Sequence, residues 1–508
     1  GAAVVPLIEV LADDSKSKDH VFVIAMIEKL EGDALAPLVS MLETGDLKRK
    51  AAVISAMQPV AGRREAVSLL GPYFATADST DPAEVKVHNL AGKVLQQKFG
   101  VIPDDSTAAA VLIREIERYL NQVTPLSVRE LDGQLLWWTW YEKTGSLAES
   151  YLPKASVYRN LAARYAADAL AVLPDHPVVQ KVYIAAVLEK AAYEKGLDSP
   201  LDDGDAVVGE VQGFSPEAIE SAMQYAMDEK HPAAAAAAAR ILGQVGDETQ
   251  ILTGTDVITP LVRAAKYPDR RVRFAAVEAI MNIGPTKPYP GSSYVYQSLV
   301  NMANSSGASL AIVAAPLLAD ASRMAGFLIP LGYEPMPLNR NRDVAAEAVR
   351  SGDVELILID SRTLNPEIEM FVQQIRHDYR MADIPIGITA RADEFERAER
   401  AAAHDELTTM VPRPHNEKSV AWCVDQVKAL TTDGQVSPQV RFAQAQAAIG
   451  WLDTLLDEDG LKVYTSQPVE DLAMQAIDIE ALRPTGISLL SKIGTPAAQT
   501  ALIDFASR

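Results

Sequence analysis

Short apolar runs separated by amphipathic stretches restrict what Ser309–Leu430 can become. The runs are Leu310-Ala311-Ile312-Val313, Glu355-Leu356-Ile357-Leu358-Ile359, Ile384-Pro385-Ile386-Gly387-Ile388 and Thr409-Met410-Val411. Between them, Asp320–Leu331, Arg342–Ser351, Glu367–Tyr379 and Phe395–His404 carry apolar residues at helical spacing. This alternation predicts strands joined by helices, an α/β segment in an otherwise helical chain. A strand buried on both faces is continuously apolar, as Leu356–Ile359 is. One further strand, Glu334-Pro335-Met336-Pro337-Leu338, carries two prolines. Proline cannot donate to a ladder, so this strand is expected at a sheet edge.

Four features narrow the segment further. They are Leu331-Gly332-Tyr333 before the proline strand, the run ending in Asp360, Thr389 closing the fourth strand, and Arg413-Pro414 after the fifth. On these residues the segment resembles a response-regulator receiver domain. The resemblance implies a flavodoxin-like, three-layer α/β domain with the second strand at an edge. It implies Asp360 as phospho-acceptor, Thr389 as the family's hydroxyl and Arg413-Pro414 at its Lys-Pro pair. The family's two magnesium-holding acids after the first strand are replaced by Ala314-Ala315. Phosphoryl transfer needs a metal to neutralise charge on the phosphate oxygens, and magnesium is held through carboxylates plus substrate oxygens. Arg413 is a planar fork where a compact lysine charge belongs. The expectation is a phosphorylation-incompetent pseudo-receiver whose vestigial pocket is Asp360, Thr389, Arg413, Ala314 and Ala315. The alternative is a signalling regulator phosphorylated on Asp360. Without the resemblance, Asp360 reads as a polar cap at a strand end and Thr389 as an ordinary strand-terminal residue.

The remaining sequence predicts helix after helix. Leu35–Leu42, Leu47–Met57, Glu65–Phe74 and Ala83–Phe99 are separated by Gly45-Asp46, Gly62 and the Asp81-Pro82 cap. With small residues at their contacts, these pairs resemble HEAT-type repeats. Ser106–Leu120 is a predicted helix. Leu135–Tyr141 holds Trp137, Trp138 and Trp140; alternation puts Trp138 and Trp140 on one face and Trp137 on the other, in a β-ribbon or an irregular plug. Tryptophan at such density is either a partner-binding anchor or core filling between helical blocks. Val157–Leu173 and Val178–Lys195, around a Pro174–Pro177 turn, resemble a tetratricopeptide hairpin. Leu197–Gly213 is acidic and loop-like; its aspartates do not match a calcium-loop spacing.

From Ser215 the repeats sharpen: Glu217–Glu229, Ala233–Gly243, Asp256–Lys266, Arg271–Ile283 and Ser293–Met302. Turn prolines Pro232 and Pro268 stand 36 residues apart, a repeat-like interval. Beyond Leu430, Val440-Arg441-Phe442-Ala443 repeats Val272-Arg273-Phe274-Ala275, each opening a helix after a proline turn. The helical pattern therefore resumes, with Asp471–Leu482, Thr485–Ile493 and Ala497–Ser507 following. The expected fold is mostly α, an α-α superhelix of HEAT- and tetratricopeptide-like repeats plus one α/β domain. The segments are 1–100 (HEAT-like), 101–213 (mixed, with the tryptophans and the hairpin), 214–306 (HEAT-like), 307–432 (receiver-like) and 433–508 (C-terminal repeats). The combination resembles bacterial multidomain proteins.

Composition removes whole classes of function. The chain has 508 residues and a formal net charge of −21. That charge opposes nucleic-acid binding and anionic membrane surfaces. No apolar run spans a membrane. The single cysteine, Cys423, permits no intrachain disulfide and no cysteine-based metal cluster, and reads as a small buried hydrophobe. The seven histidines are scattered, and no phosphate-binding glycine loop, nucleophile elbow or zinc-helix motif occurs. No cofactor or metal is expected. The function expected is a non-enzymatic scaffold for a protein or peptide partner, using the extended face of a solenoid. A third option is an enzyme without a recognisable motif. Oligomeric state is open. The chain opens on Gly1-Ala2-Ala3 without an initiator methionine. That suits a processed or engineered fragment, so a removed signal or anchor is left open, with the bacterial cytoplasm favoured.

Overall fold

In the computed structural model, residues 3–30, 32–123, 129–251, 257–431, 433–457 and 469–507 are described. The chain divides into two compact units, Gly1–Glu194 with Asp205–Val211, and Lys195–Gly204 with Gln212–Arg508.

The first unit runs α1 (Val4–Ala12), α2 (His20–Leu30), α3 (Gly32–Met41), α4 (Leu47–Val60), α5 (Leu70–Ala75), α6 (Pro82–Phe99) and α7 (Asp105–Leu120). An antiparallel sheet follows, β1 (Glu130–Leu131), β2 (Gln134–Tyr141) and β3 (Ser146–Pro153), then α8 (Lys154–Val172), α9 (Pro177–Lys195) and α10 (Ala206–Val211). Caps explain the starts. Asp46, Asp81 and Asp104 accept hydrogen bonds from first-turn N–H groups of α4, α6 and α7. Two expectations fail locally. Glu65–Phe74 is not one helix; a 3₁₀ turn over Glu65–Leu69 leads into α5, because Pro72 has no N–H to continue a helix and is tolerated only in a new first turn. The acidic 197–213 loop contains α10, whose Val208 and Val211 are buried.

The second unit begins with α11 (Pro216–Asp228), α12 (Pro232–Val245), α13 (Pro260–Ala264), α14 (Arg270–Ile283) and α15 (Ser292–Ala303). Alanines 233–239 of α12 are all buried. They let α12 and α14 approach until a Cβ on Gly243 would lie 2.5 Å from the Ala279 Cα. Asp269 caps α14, accepting from Arg271 N–H at 2.7 Å, and Gly284, at φ 67°, ends it. The helix expected over Asp256–Lys266 is only Pro260–Ala264, opened by Thr259; Asp256 lies outside the described residues.

Next comes the α/β segment: β4 (Leu310–Ala314), α16 (Leu318–Gly326), β5 (Glu334–Leu338), α17 (Asn341–Arg350), β6 (Val354–Asp360), α18 (Ile368–His377), β7 (Ile386–Ala390), α19 (Phe395–Ala402), β8 (Thr408–Pro412) and α20 (Glu417–Lys428). The sheet is parallel throughout, in the order β5-β4-β6-β7-β8, with proline-bearing β5 at an edge. Side chains alternate across it. Ala311, Val313, Leu356 and Leu358 pack with α16 and α20. Ile312, Ile357 and Ile359 pack with α17, α18 and α19. Asp320–Leu331 is not one helix: α16 stops at Gly326, and Ile329–Leu331 forms a separate 3₁₀ turn around Pro330.

Helices α21 (Pro438–Leu455), α22 (Glu470–Asp478), α23 (Arg483–Ile493) and α24 (Pro496–Ala506) close the chain. The repeated tetrapeptide opens α14 and α21, and these helices meet: Phe274 and Trp451 have ring centroids 5.8 Å apart, and Arg270 Nε donates to Gln444 at 2.7 Å. Helix α21 thus packs on the earlier helices.

Candidate functional site

Parallel registration sets the site. Asp360 ends β6 opposite Thr389 of β7. β8 delivers Arg413, and Ala314-Ala315 leave β4 on the other side. Asp360 is 2% exposed, and its carboxylate is ringed by guanidinium groups. Oδ1 accepts the Arg362 N–H at 3.0 Å and Arg362 Nε–H at 3.2 Å; Oδ2 lies 3.6 Å from Arg413 Nη1. Arg413 Nη2 donates to Asp320 Oδ2, from the first turn of α16, at 3.0 Å. Arg362 also pairs with Glu394 at 3.3 Å. Its hydrogen bond to Asp360 holds the Arg362 guanidinium above its ordinary range. The Thr389 hydroxyl is fully buried and has no hydrogen-bond partner among the described residues. Ala314 and Ala315 are buried; Ala315 presents its methyl to a cavity of about 380 Å³ shared with Asp320, Asp360, Arg391, Arg413 and His415.

All five residues expected from sequence lie at the carboxyl end of the sheet; Asp360, Arg413 and Ala315 line the cavity, whereas Thr389 and Ala314 are not in its lining, and Ala314 packs into the core under α17–α19. Asp320 and Arg362 were missed. Arg362 is two residues from Asp360 and was available as a neighbour; Asp320 needed the fold, because only the turn of α16 brings it to Arg413. Among the described residues, no group of three His, Cys, Asp or Glu side chains is placed to hold a metal. Cys423 is buried on α20, and burial pushes its thiol up to about 11, far from nucleophilic use at neutral pH.

The tryptophans lie in the first unit, on a β-ribbon. β2 pairs antiparallel with β3, and Trp138 and Trp140 share a buried face, each 7% exposed. The Trp138 carbonyl accepts from Ser40 Oγ at 2.8 Å, and Trp140 Nε1 donates to Glu142 at 2.6 Å. Arg49 lies 5.0 Å over the Trp140 ring. Trp137, on the opposite face, is half-buried, with Arg164 5.0 Å above it.

Residues 215–315 match the family described as HEAT repeats. The match covers α11–α15 and runs through β4. No curated protein and no solved structure matches the chain. HEAT repeats generally mediate protein–protein interaction. Among the described residues, no helix is long and apolar enough to cross a membrane.

Proposed function

We propose that this chain is a non-enzymatic interaction scaffold in which helical repeats carry the partner-binding surface and the α/β segment is a pseudo-receiver that no longer accepts phosphate. The working division is 1–100, 101–213, 214–306, 307–432 and 433–508. The observation that carries the reading is the occupation of Asp360 by two arginines of its own chain. In a working phospho-site that space belongs to a metal bridging the acceptor carboxylate and the incoming phosphoryl oxygens. Here Arg362 and Arg413 neutralise Asp360 directly, and the methyl groups of Ala314 and Ala315 offer no ligand. Strand order supports a flavodoxin-like identity for the segment, since order 2-1-3-4-5 belongs to that fold group. Of the three ribbon tryptophans, Trp137 retains the exposure a partner would need.

The test is incubation of the whole chain with magnesium and acetyl phosphate, followed by peptide mass analysis. The expected result is an unmodified Asp360. A phosphoryl adduct on Asp360 would overturn the reading in favour of a phospho-regulated one, which the cavity beside Asp360 favours. Affinity capture with the intact chain, and with Ser309–Leu430 replaced by a short linker, tests the scaffold role. Capture of nothing by either form counts against it.

A further inference from the structure

At the amino end of the same sheet lies a cavity of about 500 Å³. The first turn of α14, the segments entering β6, β7 and β8, and residues 433–436 ahead of α21 enclose it. Its lining carries six cationic and four acidic side chains; of the six, Arg380 is paired with Asp378, and Arg441 with Glu355 and Asp353, outside the lining. Arg270, Arg271 and Arg273 are 6, 9 and 2% exposed. The partners of two of them are neutral. Arg270 donates to Gln444 at 2.7 Å, the Gly352 carbonyl at 2.6 Å and Ser305 Oγ at 3.1 Å. Arg273 Nη1 donates to the carbonyls of Tyr267 at 2.9 Å, Tyr379 at 2.8 Å and Pro268. Arg271 donates to the carbonyls of Gly434 at 3.2 Å and Asp433 at 3.4 Å, and lies 3.6 Å from Asp269 and 3.9 Å from Asp198. The Nε–H groups of Arg271 and Arg273 are buried without a hydrogen-bond partner among the described residues.

No carboxylate forms an ion pair with Arg270 or Arg273 among the described residues. Asp269 accepts from the N–H groups of α14, and Glu406 faces Lys230 at 3.2 Å. Asp383 is pushed up by burial, toward its neutral form, against the pull of Arg273. Crowding shows in Arg270, which burial and then Arg273 and Arg441 push down to about 9. Buried charge is costly unless paired. Guanidinium forks match phosphate oxygens, and the volume falls in the range of roughly 300–1,000 Å³ typical of small-molecule sites.

We propose that this cavity binds a small organic phosphate, its phosphate or diphosphate group against Arg271 and Arg273 and its organic body against Pro232, Ile384 and Leu407. The site is independent of the scaffold reading and stands at the opposite end of the sheet from Asp360. Open α/β sheets ordinarily bind ligands beyond the carboxyl ends of their strands, so this is not that crevice.

The test is calorimetric titration and thermal melting of the full chain with inorganic phosphate, pyrophosphate and ADP, without magnesium, against sulfate at matched ionic strength. The expected result is saturable binding and a raised melting temperature, with ADP tighter than pyrophosphate. Arg271→Gln should weaken binding about tenfold or more, the worth of a lost charged hydrogen bond, while Arg413→Gln leaves it unchanged. Arg273→Gln is a second probe; if it does not fold, the Arg271→Gln and Arg413→Gln pair still decides. Equal stabilisation by sulfate means an adventitious ion only and overturns the proposal. So does binding lost in Arg413→Gln but kept in Arg271→Gln, ADP no tighter than pyrophosphate, or no saturable binding at all.

Discussion

The two ends of the five-stranded sheet treat arginine differently. At the carboxyl end, Arg362 and Arg413 meet Asp360, Asp320 and Glu394 across short gaps, so charge is cancelled locally. At the amino end, Arg270 and Arg273 are more deeply buried and rest on carbonyls, a carboxamide and a hydroxyl. Neutral dipoles solvate a guanidinium but leave its field uncancelled. In the first arrangement each guanidinium faces a carboxylate; in the second the nearest partners carry no charge. One sheet thus carries acid-paired arginines at one end and dipole-held arginines at the other.

Substitutions can break this contrast. Arg441, also at the amino end, differs from Arg270 and Arg273: it pairs with Glu355 at 2.8 Å and Asp353 at 3.4 Å, all three nearly buried. Arg441→Met should cost the most, about 3–5 kcal/mol, because two buried carboxylates lose their cation. Urea unfolding measures it. Arg270→Met should cost less, about 1–3 kcal/mol, since it strands only neutral acceptors and relieves repulsion. A loss equal to that of Arg441→Met would end the distinction between charge-paired and dipole-held arginines. Arg413→Met, at a half-buried site, should cost about 1 kcal/mol or less.

The smallest effect is in pH dependence, where two amino-end carboxyls should slope oppositely. Burial raises Asp405, but hydrogen bonds from Arg376 and Thr408 outweigh it and hold the group below its ordinary value. Its contribution is present above the unfolded carboxyl range and lost as pH falls through the folded value. Asp383 is raised, so its contribution is full below the unfolded range and lost as pH climbs through the folded value. Melting temperatures of Asp405→Asn and Asp383→Asn against the parent chain, from pH 3 upward, separate them. Asp383→Asn should flatten the decline above about pH 4, near the ordinary carboxyl range, and Asp405→Asn the fall below it.

Local rules carried most of the fold. Leu356–Ile359 announced a central strand, and Pro335 with Pro337 placed β5 at the edge, because burial on two faces and a missing N–H are properties of the residues themselves. Trp138 and Trp140 followed from alternation in the same way. What escaped depended on distant parts of the chain meeting. Asp320 reaches Arg413 only across the sheet end. The amino-end cavity draws on α14, three sheet entries and the lead into α21, so no stretch of sequence resembles it. The split at Pro72 and the stop before Pro330 were legible but were overridden by apolar spacing.

The close meeting of Gly307 with α21 has a practical corollary. A Cβ at Gly307 would lie 2.9 Å from the Pro438 carbonyl oxygen and 3.0 Å from the Phe442 Cβ. The doorway by which the chain leaves the repeats and the doorway by which it returns are therefore the same. The intervening 130 or so residues form an excursion whose ends must come together before α21 can seat, at the entropic cost of closing a loop of that length. Excising the excursion should need only a few bridging residues, and evolution could exchange it for another module without rebuilding its host.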